Sequence, residues 1–266
     1  MKCLVHQACL LGCTVLLASG LFPQTARAQV TRGFDRSLKA VALRSEMTRQ
    51  PTLWVMQVEI KPMRMTWVEV KDRNSERNQR KEVWYLVWRA INRPLTVGEI
   101  ADTKAVNRQE PLPGPMPFMP HFTLVTYDDA KNEIPNQILP DQILPEAVIE
   151  IEKREKLQQG TLKNTVTAIQ DVPAIVDPMA EKQPWIYGVA TWTGIDPETD
   201  FFKVILHGFS NGYENRSDDP EHPEIWRRVI VQKFYRPGDE FDPNLREFQY
   251  VENPEWTYQP DRAPSN

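Results

Sequence analysis

Apolar and polar residues alternate in several separate runs along this chain, and each run predicts a half-buried strand. Between Leu53 and Lys61, Met56, Val58 and Ile60 share one face, and Gln57, Glu59 and Lys61 share the other. Pro62 has no backbone donor, so it ends that strand or marks an edge. Met63, Met65 and Trp67 resume the alternation and carry it to Val70. The stretch Lys81 to Arg93 differs, because both of its faces are apolar. Val83, Tyr85 and Val87 point one way, and Trp84, Leu86, Trp88 and Ala90 point the other. Both faces need cover, which puts this strand in the middle of a sheet with a second layer on it. The charged run Lys71 to Arg80 reads as the exposed hairpin loop leading into it.

Further strands are expected at Phe122 to Tyr127, Leu162 to Ile169, Trp185 to Thr193, Phe201 to Phe209 and Trp226 to Tyr235. Tyr250 to Tyr258, interrupted by Pro254, reads as a last edge strand. Asp196-Pro197-Glu198-Thr199-Asp200 has tight-turn chemistry and predicts a hairpin between the strands on either side of it. From Ile134 to Glu155 the period changes to the helical value. Leu144, Ala147, Val148 and Ile151 fall on one face, Pro145 suits a first turn, and Asp141 is placed to cap it. A shorter helix is expected near Arg36 to Met47. The prolines at 111, 113, 115, 117 and 120 predict an extended crossover. Many strands with one inserted helix predict a mainly β fold, an antiparallel β-sandwich of immunoglobulin-like form. Without β-α-β alternation a doubly wound sheet is rejected.

Residues 1 to 28 read as a Sec-type signal peptide. Lys2 is followed by an apolar run from Leu10 to Phe22, and Ala26-Arg27-Ala28 supplies a cleavage site before Gln29. The apolar run is too short for a transmembrane anchor. Leu10-Leu11-Gly12-Cys13 looks like a lipoprotein box, but the apolar run continues past Cys13. The expected plan is a lead-in segment at 29–52, one sandwich domain at 53–258 with its helical insertion near 141–158, and a polar tail at 259–266. The expected location is the periplasm or the extracellular space. All three cysteines, Cys3, Cys9 and Cys13, lie in the signal. The mature chain therefore has no disulfide, no thiolate nucleophile and no cysteine metal site. Without Lys2 and Arg27, the 32 basic residues become 30 against 36 acidic ones, a net charge of −6. That balance argues against a nucleic-acid partner.

Four segments resemble motifs of an uncharacterised family of exported proteins from planctomycete-type bacteria. They are Val83-Trp-Tyr-Leu-Val-Trp88, Trp185-Ile-Tyr-Gly-Val-Ala-Thr-Trp192, Asp196-Pro-Glu-Thr-Asp-Phe-Phe202 and Phe234-Tyr-Arg-Pro-Gly-Asp239. The resemblance implies export and β architecture. It implies no activity, ligand or catalytic residue.

Gly208-Phe209-Ser210-Asn211-Gly212 matches the G-x-S-x-G nucleophile elbow and follows a strand. An elbow needs a helix after the serine, with an acid and a histidine further on. Here Asp218, Asp219, Pro220 and Pro223 follow, and His222 is the only later histidine. The reading is a glycine-flanked turn, with a serine hydrolase as the lesser alternative. Asp218, Asp219, Glu221, His222 and Glu224 cluster, but they match no metal-binding loop and read as a solvated acidic loop. Arg73, Arg77, Arg80 and Lys81 are interleaved with acids and read the same way. Asn215-Arg216-Ser217 matches a glycosylation acceptor, which a bacterial source would make uninformative. Trp67, Trp84, Trp88, Trp185, Trp192 and Trp226 are expected in the core, while Trp54 and Trp256 are less constrained. No catalytic, cofactor or metal residue is assigned. The expected function is non-enzymatic, a binding or structural module whose partner is an envelope protein or a glycan. The alternative is a carbohydrate-binding module using exposed aromatics.

Overall fold

The computed structural model describes residues 33–71, 78–98, 117–217, 222, 224–238 and 247–261. The expected signal, most of the proline run, Arg73, Arg77, Asp218, Asp219 and Glu221 lie outside the described residues. In chain order the elements begin with β1 (Arg36–Leu38), β2 (Val41–Ala42), α1 (Arg44–Arg49), β3 (Met56–Ile60), β4 (Arg64–Lys71) and β5 (Asn78–Asn92). Next come β6 (Thr96–Val97), β7 (His121–Tyr127), β8 (Gln137–Pro140), α2 (Pro145–Arg154), β9 (Ile186–Trp192) and β10 (Phe201–His207). The last are β11 (Tyr213–Asn215), β12 (Ile225–Tyr235), β13 (Gln249–Tyr250) and β14 (Glu255–Pro260). The protein is mainly β. Its two large sheets are antiparallel throughout, and the small β2–β6 pair is parallel.

The 15-residue β5 is the spine of the first sheet. β9 pairs along one of its edges, and β4 and β3 share the other. Three residues, Lys61 to Met63, stand opposite two, Leu86 and Val87, because Ile60 pairs with Trp88 and Arg64 with Tyr85. The insertion is a β-bulge. Pro62 sits in it and forfeits no ladder bond, while Lys61 N donates to the Val87 carbonyl at 3.0 Å. The bulge lets Ile60 and Met63 both enter the core.

The second sheet is built in the same way around the 11-residue β12. Residue 230 pairs with Leu206 of β10 and Trp256 of β14, and residue 226 pairs with Glu214 of β11 and Pro260 of β14. β10 and β11 therefore lie on the same side of β12, opposite β14. β7 and β8 extend the sheet beyond β10.

The two sheets share one aromatic core. Trp84, Leu86, Trp88 and Trp192 from the first meet Phe122, Phe202, Phe209, Ile230 and Phe234 from the second. On the outer face of the first sheet, Val83, Tyr85 and Val87 are covered by Ala147 and Ile151 of α2, so the double-faced strand has cover on both sides.

Several local expectations are corrected. Arg36 to Met47 is not one helix. Its start is β1, which pairs with β3, and only Arg44–Arg49 is helical. Here sheet pairing overrides a weak helical period. Leu162 to Ile169 forms turns, with a single parallel bridge from Lys163 to Gly188. β9 and β10 are not a hairpin: β9 joins the first sheet and β10 the second, so the Asp196–Asp200 turn carries the chain between layers. Asp141 does not cap α2. Its carboxylate instead accepts from Phe122 N at 3.0 Å and from the Thr165 hydroxyl.

Candidate functional site

Between Leu206 and Tyr213, six residues stand opposite only Arg228 and Val229 of β12, so the Gly208–Gly212 segment is pushed out of its sheet. It clasps the other sheet instead. Met56 N donates to the Phe209 carbonyl at 2.9 Å, and Trp54 N donates to Asn211 Oδ1 at 2.8 Å. Ser210 Oγ donates to the Trp54 carbonyl at 3.0 Å and accepts from Gly212 N at 3.0 Å. Asn211 Nδ2 donates to the Thr52 carbonyl at 3.0 Å. Phe209 packs edge-on to Trp88 at 5.2 Å. Gly208 has φ +77°, and a Cβ there would stand 2.0 Å from the Met119 carbonyl oxygen. Each residue of the elbow-like motif thus has a structural role. A nucleophilic serine needs a base to take its proton, whereas the Ser210 proton is held by a backbone carbonyl that cannot accept it chemically.

Beside this clasp lies a pocket of about 310 Å³, walled by Trp54, Met119, His121, His207, Arg227 and Val229 and reaching Ser210 and Asp261. Its most distinctive feature is a histidine pair. His121 on β7 and His207 on β10 are cross-strand partners, and their rings stack with centroids 4.5 Å apart and planes 5° apart. His121 Nδ1 lies 3.3 Å from the Met119 carbonyl oxygen. A carbonyl only accepts, so Nδ1 carries a proton in this contact. Burial, and then the neighbouring His121, outweigh Asp261 and push His207 down to about 4. It is a neutral imidazole at pH 7. Among the described residues no hydrogen bond engages its ring nitrogens. The charges at the rim are paired: Arg227 Nε with Asp261 at 3.1 Å, and Arg228 Nη1 with buried Glu46 at 3.2 Å.

A second, shallower groove of about 390 Å³ is lined by Trp67, Lys81, Glu82, Trp84, Gly194 and Ile195. Trp67 is 50% exposed, contrary to the core position expected for it. Trp67 stands opposite Glu82 of β5 and lines this groove. Trp84, Trp88 and Trp192 are buried as expected, and Trp54 and Trp256 are half-buried. Trp185 and Trp226 are half-buried rather than core residues. Trp67, Trp185, Trp226 and Trp256 each carry a guanidinium over the ring, from Arg80, Arg89, Arg216 and Arg228 at 5.2, 4.3, 3.8 and 4.9 Å. Cation–π contact of this kind suits half-exposed aromatics.

The remaining sequence candidates are dispersed. His222 is exposed, and Glu224 accepts from Trp226 Nε1 at 2.9 Å. Among the described residues no group of three His, Cys, Asp or Glu is placed to hold a metal ion. No described helix is long and apolar enough to cross a membrane. Asn215 Oδ1 accepts from the backbone N–H groups of Ser217 and Glu224, closing its own turn. The histidine pair is the feature that sequence reading missed. His121 and His207 are 86 positions apart, and only the β7–β10 register brings them together. No protein-family model matches this chain, no curated protein matches it, and no solved structure matches it.

Proposed function

We propose that this chain is an exported, non-catalytic β-sandwich module of the cell envelope, immunoglobulin-like in form, that binds a ligand or an envelope partner. The observation that carries the reading is the commitment of Ser210. Its hydroxyl bridges two backbone groups and holds the sheets together, so the one motif suggesting hydrolysis is better explained as a clasp. Two antiparallel layers around one aromatic core support the sandwich form. The signal-like residues 1–28 support export, and the aromatic-and-turn motifs support kinship with the planctomycete-type exported proteins. A fluorophosphonate probe is expected to leave the folded protein unlabelled; covalent labelling at Ser210 would overturn the non-catalytic reading. Sequencing the exported protein's N-terminus tests the route, with Gln29 as the expected first residue.

A second reading, glycan binding, is favoured by one observation: half-exposed Trp67 at the Lys81–Glu82 groove. An indole face beside charged hydrogen-bonding groups suits a sugar ring. Isothermal titration with a panel of envelope oligosaccharides tests it. Binding that disappears in Trp67→Ala supports the reading, and no binding across the panel removes it.

A further inference from the structure

We infer that the pocket beside the Gly208–Gly212 clasp is a binding site for a small, uncharged, planar aromatic ligand carrying one polar hydrogen-bonding atom, seated against the stacked His121–His207 pair and Trp54. This deepens the binding reading above and rests on it.

Charge sets the ligand's charge. Arg227 is paired with Asp261, and Arg228 with Glu46 and, through Nη2 at 2.8 Å, with the Val41 carbonyl. A charged ligand would lose its hydration and meet no free counter-charge, a cost that an uncharged one avoids. Burial keeps His207 in its neutral form, so this inner member of the stack adds no charge at pH 7.

Shape and chemistry set the rest. A pocket of about 310 Å³ is at the low end of the roughly 300–1,000 Å³ range of ligand sites, which restricts it to a small molecule. Trp54, Met119 and Val229 give it an apolar wall, and Met119, 46% exposed, stands at an open mouth. The imidazoles already stack at 4.5 Å, within the spacing that aromatic rings prefer. A further ring extends that arrangement. The His207 nitrogens, not engaged by the described residues, offer one donor and one acceptor to a polar atom on the ring.

The test uses the purified protein at pH 7 with four probes: indole, phenol, benzoate and benzylammonium. Binding is read by saturation-transfer NMR and titration calorimetry. Indole or phenol is expected to bind more tightly than either ion. Met119→Trp, at the open mouth, is expected to weaken that binding at least tenfold with the melting temperature unchanged. Val229→Trp is the second pocket-filling variant, scored only if its fold is intact. No binding of indole or phenol overturns the inference. So does tighter binding of an ion, or binding that Met119→Trp leaves unaltered. Labelling of Ser210 by a fluorophosphonate would instead sink the non-catalytic reading, so the two failures are distinguishable.

Discussion

The Trp88 indole lies across Gly188, its cross-strand partner, so closely that a Cβ on residue 188 would come 2.2 Å from Trp88 Cζ2. The missing side chain on β9 is the space that the ring of β5 fills. Phe118, Phe122 and Phe209 surround the same indole at 6.3, 5.8 and 5.2 Å. Trp88 thereby joins both sheets and the clasp.

Gly188→Ala is accordingly expected to destabilise the protein by about 1–3 kcal/mol, the usual cost of overpacking a well-filled core. Urea unfolding measures it. In a double-mutant cycle with Trp88→Leu the two losses should fall short of additive, because a smaller side chain makes room for the methyl. Strict additivity would mean that the close approach is not the source of the cost.

Glu155 follows α2, and its side chain is fully buried. It accepts from Lys61 at 2.8 Å, Arg64 at 2.6 Å and the Tyr85 hydroxyl at 3.0 Å. Burial alone would raise its pKa, but the hydrogen bonds and charges of Lys61 and Arg64 outweigh burial and hold the carboxyl below its ordinary value. A lowered carboxyl adds stability above about pH 4.5 and loses it as pH falls through the folded value. Glu155→Gln is expected to cost about 3–5 kcal/mol at pH 7, since it leaves buried Lys61 uncompensated and Arg64 with Glu247 alone at 2.9 Å. It should also flatten the acid limb of the stability curve, which chemical denaturation at several pH values would reveal.

His207 carries the opposite acid–base signature for a histidine. Its value falls from the ordinary 6.5 to about 4 on folding, so the unfolded chain binds the proton first. Stability is fully present above pH 6.5 and declines as pH drops toward 4. NMR titration of the ring is expected to give a midpoint near 4. In His121→Asn that midpoint should move upward, because a neighbouring positive charge is removed. A midpoint near 6.5 in the unaltered protein would refute the buried, neutral assignment.

Ser210→Ala removes the hydroxyl that links the Trp54 carbonyl to Gly212 N. The Trp54 carbonyl then keeps only a 3.4 Å bond from Asn211 N and Gly212 N loses its partner, at an expected cost of about 1–3 kcal/mol. Gly208→Ala should be worse, since it meets both a positive φ and the Met119 carbonyl. Thermal melts of both variants check the order.

The alternation of side chains was enough, by itself, to determine most of the strands. Met56, Val58 and Ile60 are buried as their spacing predicts, and the two apolar faces of Val83 to Ala90 are both covered. The helical spacing of Leu144, Ala147, Val148 and Ile151 likewise chose the face that α2 presents to the sheet. These are local periodicities, which burial on one side imposes on a short stretch of chain. Register and layer membership are not local. A turn such as Asp196–Asp200 has the same chemistry whether it closes a hairpin or passes between sheets, and the tertiary structure decided for passage. Alternation put Trp67 in the core, but what a distant segment packs against a face decides whether it is covered, and Trp67 is 50% exposed. The Ser210 motif read as an elbow or a turn until the Trp54 carbonyl stood opposite its hydroxyl. The His121–His207 pair exists only because β7 and β10 align in one register, a relationship between distant segments that no spacing along the chain records.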